Sequence, residues 1–236
     1  MKKLFLTLMA LAATMSIDAQ MVKIMKGDQI VAKYKVPNGG KVVFEKAPDL
    51  GIKGKAERTG GTEVNWVQLW EDGPRFAEYN VGAANNKAED YGGYYSFGKI
   101  TTDMENYYNG NMALTGDDDT ATNLWGEKWR MMTKEEFEAL INNENCTCKW
   151  TTQNGVNGLL CTGKENTVYA SNSVFLPAAG YSSNGVVIHL NENGLYWSSM
   201  PAQNYAWVLN FNPDSQGLKD LIRNRGYSVR AVLKED

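Results

Sequence analysis

The sequence is poor in the residues on which most catalytic and metal sites depend. It has one histidine, His189, and three cysteines, Cys146, Cys148 and Cys161, among 236 residues. Acyl-transfer catalysis needs a nucleophile, a base and an orienting group within reach, and His189 lies in VVIHLNENG, which alternates like a strand. Cys146 and Cys148 lack the spacing of a zinc knuckle, with no second pair or nearby histidine. We therefore predict no catalytic centre, no metal site and no cofactor.

An excess of positive charge is also missing. The chain has 24 Lys and Arg against 27 Asp and Glu, a formal net charge of −3. Binding to nucleic acid needs clustered positive charge, so we predict no nucleic-acid partner. The carboxylates of Asp117–Asp119 could attract calcium, but they lack the alternating spacing that wraps one ion. A solvated acidic turn is the better interpretation.

Long apolar runs are missing apart from one near the start. Lys2 and Lys3 precede the apolar run 4–13, and Ile17–Ala19 forms a passable cleavage site. The run is about half the ~20 residues that a membrane-spanning helix needs. We predict that residues 1–19 are a signal peptide and that no transmembrane segment remains after cleavage. The protein would then be exported to the periplasm, the cell surface or the medium.

The rest of the chain divides by composition into three parts. Residues 20–46 alternate apolar and polar in MVKIM and IVAKYKV, which predicts a small β segment with a hairpin. Residues 47–63 contain two basic clusters and glycines without periodicity, which is typical of a linker. Residues 64–233 contain all seven tryptophans and many short strand-like stretches. We interpret this last part as the main domain.

One helix is clearly marked. Thr133 and Glu136 have the spacing of a capping box, and Phe137, Leu140 and Ile141 follow at the spacing of one apolar helix face. A second helix is predicted near residues 83–90.

A hairpin follows the marked helix. The stretch TCKWTTQNGVNGLLCTG contains an Asn-Gly turn between two strand-like runs. A two-residue turn at Asn154–Gly155 places Cys148 opposite Cys161, and an oxidising compartment would allow a disulfide between them, with Cys146 a buried free thiol. A longer loop would shift the register by one residue and turn the two thiols to opposite faces.

Seven motifs occur in the order in which one known family has them, and they cover about residues 64–232: VQLWEDGPRFAEYNVGA, EDYGGYYSFG, LWGEKWRMMTKEEFEAL, WTTQNGVNG, FLPAAGY, GLYWSS and RGYSVRAV. In these motifs the chain resembles the Fibrobacter succinogenes major paralogous domain family of exported Bacteroidetes proteins. That family is similar to the C-type lectin-like fold, which formylglycine-generating enzymes share. The resemblance implies an α+β protein with short twisted antiparallel strands, one or two helices and long loops, preceded by the small N-terminal β segment.

The resemblance also bears on Trp125 and Trp129. In such folds the tryptophans before the helix pack beneath it, which implies that these two belong to the core and are not a ligand platform. The chain departs from the family at Met132, where a proline is usual, and at Cys148, where an aromatic residue is common. Formylglycine-generating enzymes use a cysteine pair in the C-terminal half, and SSMPAQNYAWVLNF contains none. The calcium and sugar motifs of true lectins are missing too.

These observations favour a non-catalytic binding module for a glycan or protein ligand. Recognition usually lies on loops that a rigid scaffold carries. The candidates in loops 181–194 and 212–226 are Tyr181, Asn184, His189, Asn191, Asp214, Lys219, Asp220 and Arg223. One alternative is a structural or adhesive subunit that docks by strand addition through the N-terminal strands. A formylglycine-generating-enzyme-like enzyme is disfavoured.

The capping box gives a direct test of the marked helix. Replacing Thr133 with Ala removes the side-chain acceptor at the N-cap and should lower the free energy of unfolding by about 1 kcal/mol. Urea unfolding followed by circular dichroism measures this change. An unchanged unfolding midpoint would show that no helix begins at this residue.

Overall fold

The computed structural model describes residues 15–18, 21–26, 29–35, 51–103 and 105–234. The chain divides into two compact units, residues 1–50 and 51–236. In the first unit, strands β1 (Met15–Asp18), β2 (Met21–Lys26) and β3 (Gln29–Lys35) form an antiparallel sheet in that order. The predicted hairpin is thus present as β2 and β3. The β1 strand lies inside the predicted signal peptide, and cleavage after Ala19 would remove it; the third strand expected at residues 41–45 lies outside the described residues.

The described part of the second unit has two α-helices and thirteen strands. In chain order, the elements are β4 (Lys53–Arg58), β5 (Thr62–Val67), β6 (Phe76–Ala77), α1 (Thr120–Trp125), β7 (Trp129–Met131), α2 (Lys134–Ile141), β8 (Cys146–Gln153), β9 (Val156–Gly163), β10 (Ser173–Pro177), β11 (Tyr181–Ser183), β12 (Val186–Ile188), β13 (Gly194–Ala202), β14 (Tyr205–Phe211), β15 (Gln216–Ile222) and β16 (Ala231–Leu233). This content is that of an α+β protein, as predicted.

The strands form four sheets, and two hydrophobic clusters lie between them. The sheet orders are β4-β5-β6-β16-β7, β10-β9-β8, β11-β12 and β13-β14-β15. Neighbouring residues of β13 separate the clusters: buried Trp197 belongs to the first and buried Tyr196 to the second. Because successive side chains of a strand point to opposite faces, the β13-β14 pair is covered on both sides. It forms a central layer between two cores.

Helix α2 begins where the capping box predicts. Glu136 N donates to Thr133 Oγ1 at 3.2 Å, and Glu136 Oε2 accepts from Thr133 N at 2.8 Å. Phe137 and Leu140 are fully buried in the second cluster. Sequence and structure agree on this helix because its start signal and its apolar face are both local.

The β8-β9 hairpin has the register of the short turn. Gln153 pairs with Val156, Cys148 lies opposite Cys161, and a disulfide joins these two cysteines. Cys146 is a buried free thiol. Burial raises the pKa of this thiol to about 11, which keeps it protonated at neutral pH.

The two tryptophans before α2 are core residues, as predicted, but they do not lie beneath that helix. Trp125 and Trp129 are 3% and 0% exposed, with ring centroids 5.3 Å apart in an edge-to-face arrangement. Both belong to the first cluster, and Trp129 Nε1 donates to the carbonyl of Glu57. The implied packing beneath α2 is wrong, because the chain crosses to the second cluster at Met132 before the helix begins.

The prediction of a linker at residues 47–63 is wrong for residues 51–63, and residues 47–50 lie outside the described residues. Strand β4 lies within the predicted linker and pairs with β5 along its whole length, so the main unit begins at Gly51 and not at residue 64. The inward positions of β4 include Gly54, where a Cβ would lie 2.7 Å from the ring of Trp66. The sequence shows no apolar alternation here because a large ring occupies the space that a side chain of β4 would fill.

The second predicted helix, near residues 83–90, is absent from the described structure. Turns replace it, and the Asp90 carboxylate accepts from the backbone amides of Asn85 and Lys87. Asn86 has a φ of +56°, which an α-helix does not allow. Local side-chain acceptors thus compete with helix formation.

A buried arginine joins three parts of the second unit. Arg230 is 0% exposed and donates to Asn80 Oδ1, to the carbonyls of Ala77 and Glu78, and to the carbonyl of Phe175 in β10. Burial lowers its pKa to about 10, so the guanidinium remains charged at neutral pH. Its donors meet neutral oxygens on all sides.

Replacing Arg230 with Lys should lower the free energy of unfolding by about 3 kcal/mol or more. An ammonium group has no planar fork to reach these acceptors, and it leaves buried carbonyls without donors. Chemical denaturation measures the effect. Arg75→Lys is the matched control, because Arg75 is exposed and lies over the ring of Trp66; it should cost about 1 kcal/mol or less. Equal costs for the two variants would show that the Arg230 network does not join the parts.

Candidate functional site

The structure divides the eight predicted binding residues between two places. Four lie in the segment 181–193, which contains β11 and β12, and four lie on or beside the turn and strand at 212–223. Among the described residues, no hydrogen bond, ion pair or ring contact joins a member of one group to a member of the other. The two loops therefore do not form one site from these residues.

Arg223 is not an exposed binding residue, so that prediction is wrong. Its side chain is 2% exposed and donates to the carbonyls of Tyr205, Tyr108, Gly110 and Gln203. Desolvation lowers its pKa from the ordinary value. An arginine whose donors are used by the backbone holds loops together and has little capacity left for a ligand.

Asn191 is also a structural residue. Its side-chain oxygen accepts from the amide of Asn157 at 2.6 Å, and its carbonyl accepts from Asn157 Nδ2 at 3.0 Å. Asp214, Lys219 and Asp220 are exposed, as predicted. Asp214 lies in the turn between β14 and β15, and the other two lie on the outer strand β15.

The segment 181–193 is a short hairpin, named here the recognition hairpin, followed by a tight loop. Asn184 and Gly185 form its turn, with φ values of +52° and +74°, as in a type I′ turn. Ser183 pairs with Val186 and Tyr181 with Ile188 across the hairpin. The Asn-Gly turn and the β-branched residues after it make this geometry locally favourable.

The loop after β12 is held by backbone hydrogen bonds. The carbonyl of His189 accepts from the amides of Glu192 and Asn193, and Asn191 N donates to the carbonyl of Ala178 at 2.7 Å. His189 and Asn191 have φ values of +56° and +64°. Residues other than glycine are uncommon at positive φ values, and they mark a backbone conformation that the surroundings impose.

The base of the hairpin is anchored to the body of the unit. Ser182 exchanges two backbone hydrogen bonds with Gly226, at 2.8 and 2.9 Å. Ser183 Oγ accepts from the guanidinium of Arg225. The Tyr181 ring lies 6.0 Å from the ring of Tyr227, whose pKa is raised by burial. The hairpin therefore projects from a fixed base.

Above that base, the hairpin exposes aliphatic side chains. Val186 is 60% exposed, Val187 41% and Leu190 44%. The polar side chains of Asn184 and His189 are exposed beside them, and His189 Nδ1 lies 2.9 Å from Glu192 Oε2. The sequence predicts contacts by the polar residues and not by the valines, because a run of apolar residues in a strand normally indicates burial.

A concave surface lies at the β4-β5 turn. This cleft has a volume of about 390 Å³ and is lined by residues 57–61 and 125–128. Arg58 lies over the Trp125 ring at 5.7 Å, and the charged lining residues Glu57, Arg58, Glu127 and Lys128 balance each other in sign. The cleft is a weaker candidate than the hairpin, since its lining contains neither a nucleophile beside a base nor an apolar pocket.

The prediction that Asp117–Asp119 form a solvated acidic turn is wrong for Asp119, which is buried and has a structural use. Asp119 is 2% exposed, and its carboxylate accepts from Thr122 N at the start of α1 and from Met131 N in β7. Burial raises the pKa of this carboxyl, although the amide hydrogen bonds oppose the shift. Although the pKa of Asp119 is raised, its carboxyl group is a buried helix cap and does not create an acid–base site.

Comparisons with models of protein families, with curated proteins and with solved structures find no match for this chain. The resemblance to the Fibrobacter family therefore stays a prediction that the motifs carry. None of the helices in the described ranges has the length and apolar character needed to cross a membrane.

Gly180 should control the position of the recognition hairpin. Its φ is +61°, and a Cβ would lie 2.2 Å from the carbonyl oxygen of Ile188. Replacing Gly180 with Ala should lower the free energy of unfolding by about 1–3 kcal/mol, because alanine is strained at this φ and the base of the hairpin would have to shift. The Asn191 amide, which donates to Ala178, should exchange faster with solvent.

Gly217→Ala is the matched control, because a Cβ at Gly217 meets nothing within 4 Å. Urea unfolding and amide exchange measured by NMR compare the two variants. If Gly180→Ala matches Gly217→Ala in both measurements, the close approach at the hairpin base does not matter.

Proposed function

We propose that this protein is an exported, non-catalytic binding module that recognises a glycan or protein ligand through loops on a C-type lectin-like scaffold. The recognition hairpin is its main contact surface. One observation carries the proposal: a hairpin with a fixed backbone exposes Val186, Val187 and Leu190 beside the polar groups of Asn184 and His189. Loops that have a fixed backbone and expose apolar side chains are a common form of binding site.

The energetic argument rests on the exposed aliphatic area. Removing a valine or leucine side chain from water contributes about 1.5–3 kcal/mol when burial is complete. The hairpin base is already ordered by its hydrogen bonds to Gly226, Ala178 and Asn157. Little conformational entropy is therefore lost on binding, which increases affinity. Aliphatic contacts favour a protein ligand, whereas the exposed Asn184, His189 and Glu192 supply the polar groups that a glycan would need.

The proposed compartment has two supports. The first is the signal-like pattern of residues 1–19. The second is the disulfide between Cys148 and Cys161, because disulfides persist mainly in oxidising compartments such as the periplasm and the extracellular space.

A structural or adhesive subunit remains the second candidate. The described part of the first unit is a sheet in the order β1-β2-β3, and cleavage after Ala19 would remove β1 and leave β2 and β3 as its outer strands. Outer strands can pair with a strand of another protein, and this would allow docking by strand addition. Residues 20–46 would then carry the docking function, and the recognition hairpin would not be needed for it.

A glycan and protein array tests the binding proposal. The purified protein should bind at least one ligand class, and Val186→Ser should weaken that binding about tenfold, equivalent to about 1.4 kcal/mol of lost contact. Val168→Ser is the matched control, because Val168 is 43% exposed on another loop; it should bind normally. A ligand that binds Val186→Ser and the unaltered protein equally would place recognition elsewhere.

A further inference from the structure

We propose that the outer edge of β12 pairs with the same edge of a second copy of this chain. The pairing would be antiparallel and centred on Val187. This contact goes beyond ligand recognition, because it needs no other molecule.

The pleat of the hairpin shows that this edge is open. Ser183 and Val186 close a two-residue turn, so they are a hydrogen-bonded pair and the next pair, Ser182 with Val187, is not. Ser182 accordingly directs its N–H and C=O away from β12, and Gly226 takes both. By the same geometry, the N–H and C=O of Val187 point away from β11. Among the described residues this sheet contains only β11 and β12, and no other backbone group pairs with Val187, so these groups face outward.

Three other outer strands of the second unit, β4, β8 and β15, carry an exposed lysine that β12 lacks. Lys55 of β4, Lys149 of β8 and Lys219 of β15 are exposed on their strands. Exposed lysines on edge strands oppose pairing with another chain, because the charge would have to be desolvated. The residues of β12 are Val186, Val187 and Ile188, none of them charged, and Val186 and Val187 are exposed.

This edge is complementary to itself. In an antiparallel pair centred on Val187, each Val187 donates to and accepts from its counterpart, and Val186 lies opposite Ile188 of the second copy. Every cross-strand pair is then β-branched and uncharged, which is a favourable class of pair. The arrangement has two-fold symmetry, the commonest symmetry of protein dimers.

The small size of the edge sets the strength of the contact. β12 has three residues, and a stable dimer usually buries about 1,200 Å² or more. We therefore expect a weak dimer that is observed at high protein concentration and not a permanent one. Leu190, 44% exposed beside β12, adds apolar area to the contact.

Analytical ultracentrifugation of the purified protein tests this pairing. The average mass should rise with concentration up to about 1 mM, the range in which weak contacts are populated. Val187→Lys should abolish the rise, because two lysines would meet across the two-fold axis. Val168→Lys is the matched control, since Val168 and Val187 have nearly the same exposure, 43% and 41%; it should leave the rise unchanged.

A mixture provides the positive test. Val187→Lys and Val187→Glu should each be monomeric alone, and an equimolar mixture should dimerise, since opposite charges then meet at the axis. In the unaltered protein, the Val187 amide should exchange more slowly with solvent as concentration increases, and this measurement needs no variant. An unaltered protein that stays monomeric, a Val187→Lys protein that still dimerises, or a mixture that stays monomeric would each overturn the proposal.

These outcomes are separate from those of the ligand array. A monomeric protein that binds an array ligand through Val186 refutes only the self-pairing. A dimer that forms through Val187 in a protein without any array ligand refutes only the proposed recognition function.

Discussion

The rest of the second unit depends on the hydrogen bonds that the buried guanidinium of Arg230 donates. It joins β6 and its following residues to β10, through carbonyls that no other cation reaches in the described structure. Asn80 continues the network: it accepts from Arg230 and donates to the hydroxyl of Tyr196, which in turn donates to the carbonyl of Pro177. Two sheets and the central strand β13 are thus held by one chain of hydrogen bonds. Such a network is stabilising only when every member is satisfied.

The network also determines where the recognition hairpin stands. Pro177 ends β10, and the next three residues lead directly into β11. The carbonyl of Ala178 accepts from Asn191, and that of Ala179 accepts from the Tyr94 hydroxyl at 2.6 Å. The exposed valines are therefore connected to the core by a few successive hydrogen bonds. A site on such a base is positioned by packing and not by loop chemistry alone.

Several features could be predicted because their causes are close in sequence. The Thr133–Glu136 cap, the apolar face at Phe137 and Leu140, and the Asn-Gly turn that pairs Cys148 with Cys161 each depend on residues close together in the chain. The burial of Trp125 and Trp129 followed from residue type and from the family resemblance. The wrong predictions have a different origin: the sequence of β4 is typical of a linker because its inward positions are small, and the distant ring of Trp66 is what makes them small.

By itself, the sequence determined the capped helix and the poverty of catalytic side chains. It favoured one of two registers for the disulfide hairpin, and the family resemblance implied the α+β character. The tertiary structure decided which polar residues are available to a ligand. Arg223 and Asn191 have the same side chains as typical binding residues, but backbone groups brought from far along the chain use their hydrogen-bonding capacity. The exposure of Val186 and Val187 was decided in the same way, because burial depends on what packs against a strand, and its local pattern does not contain that information.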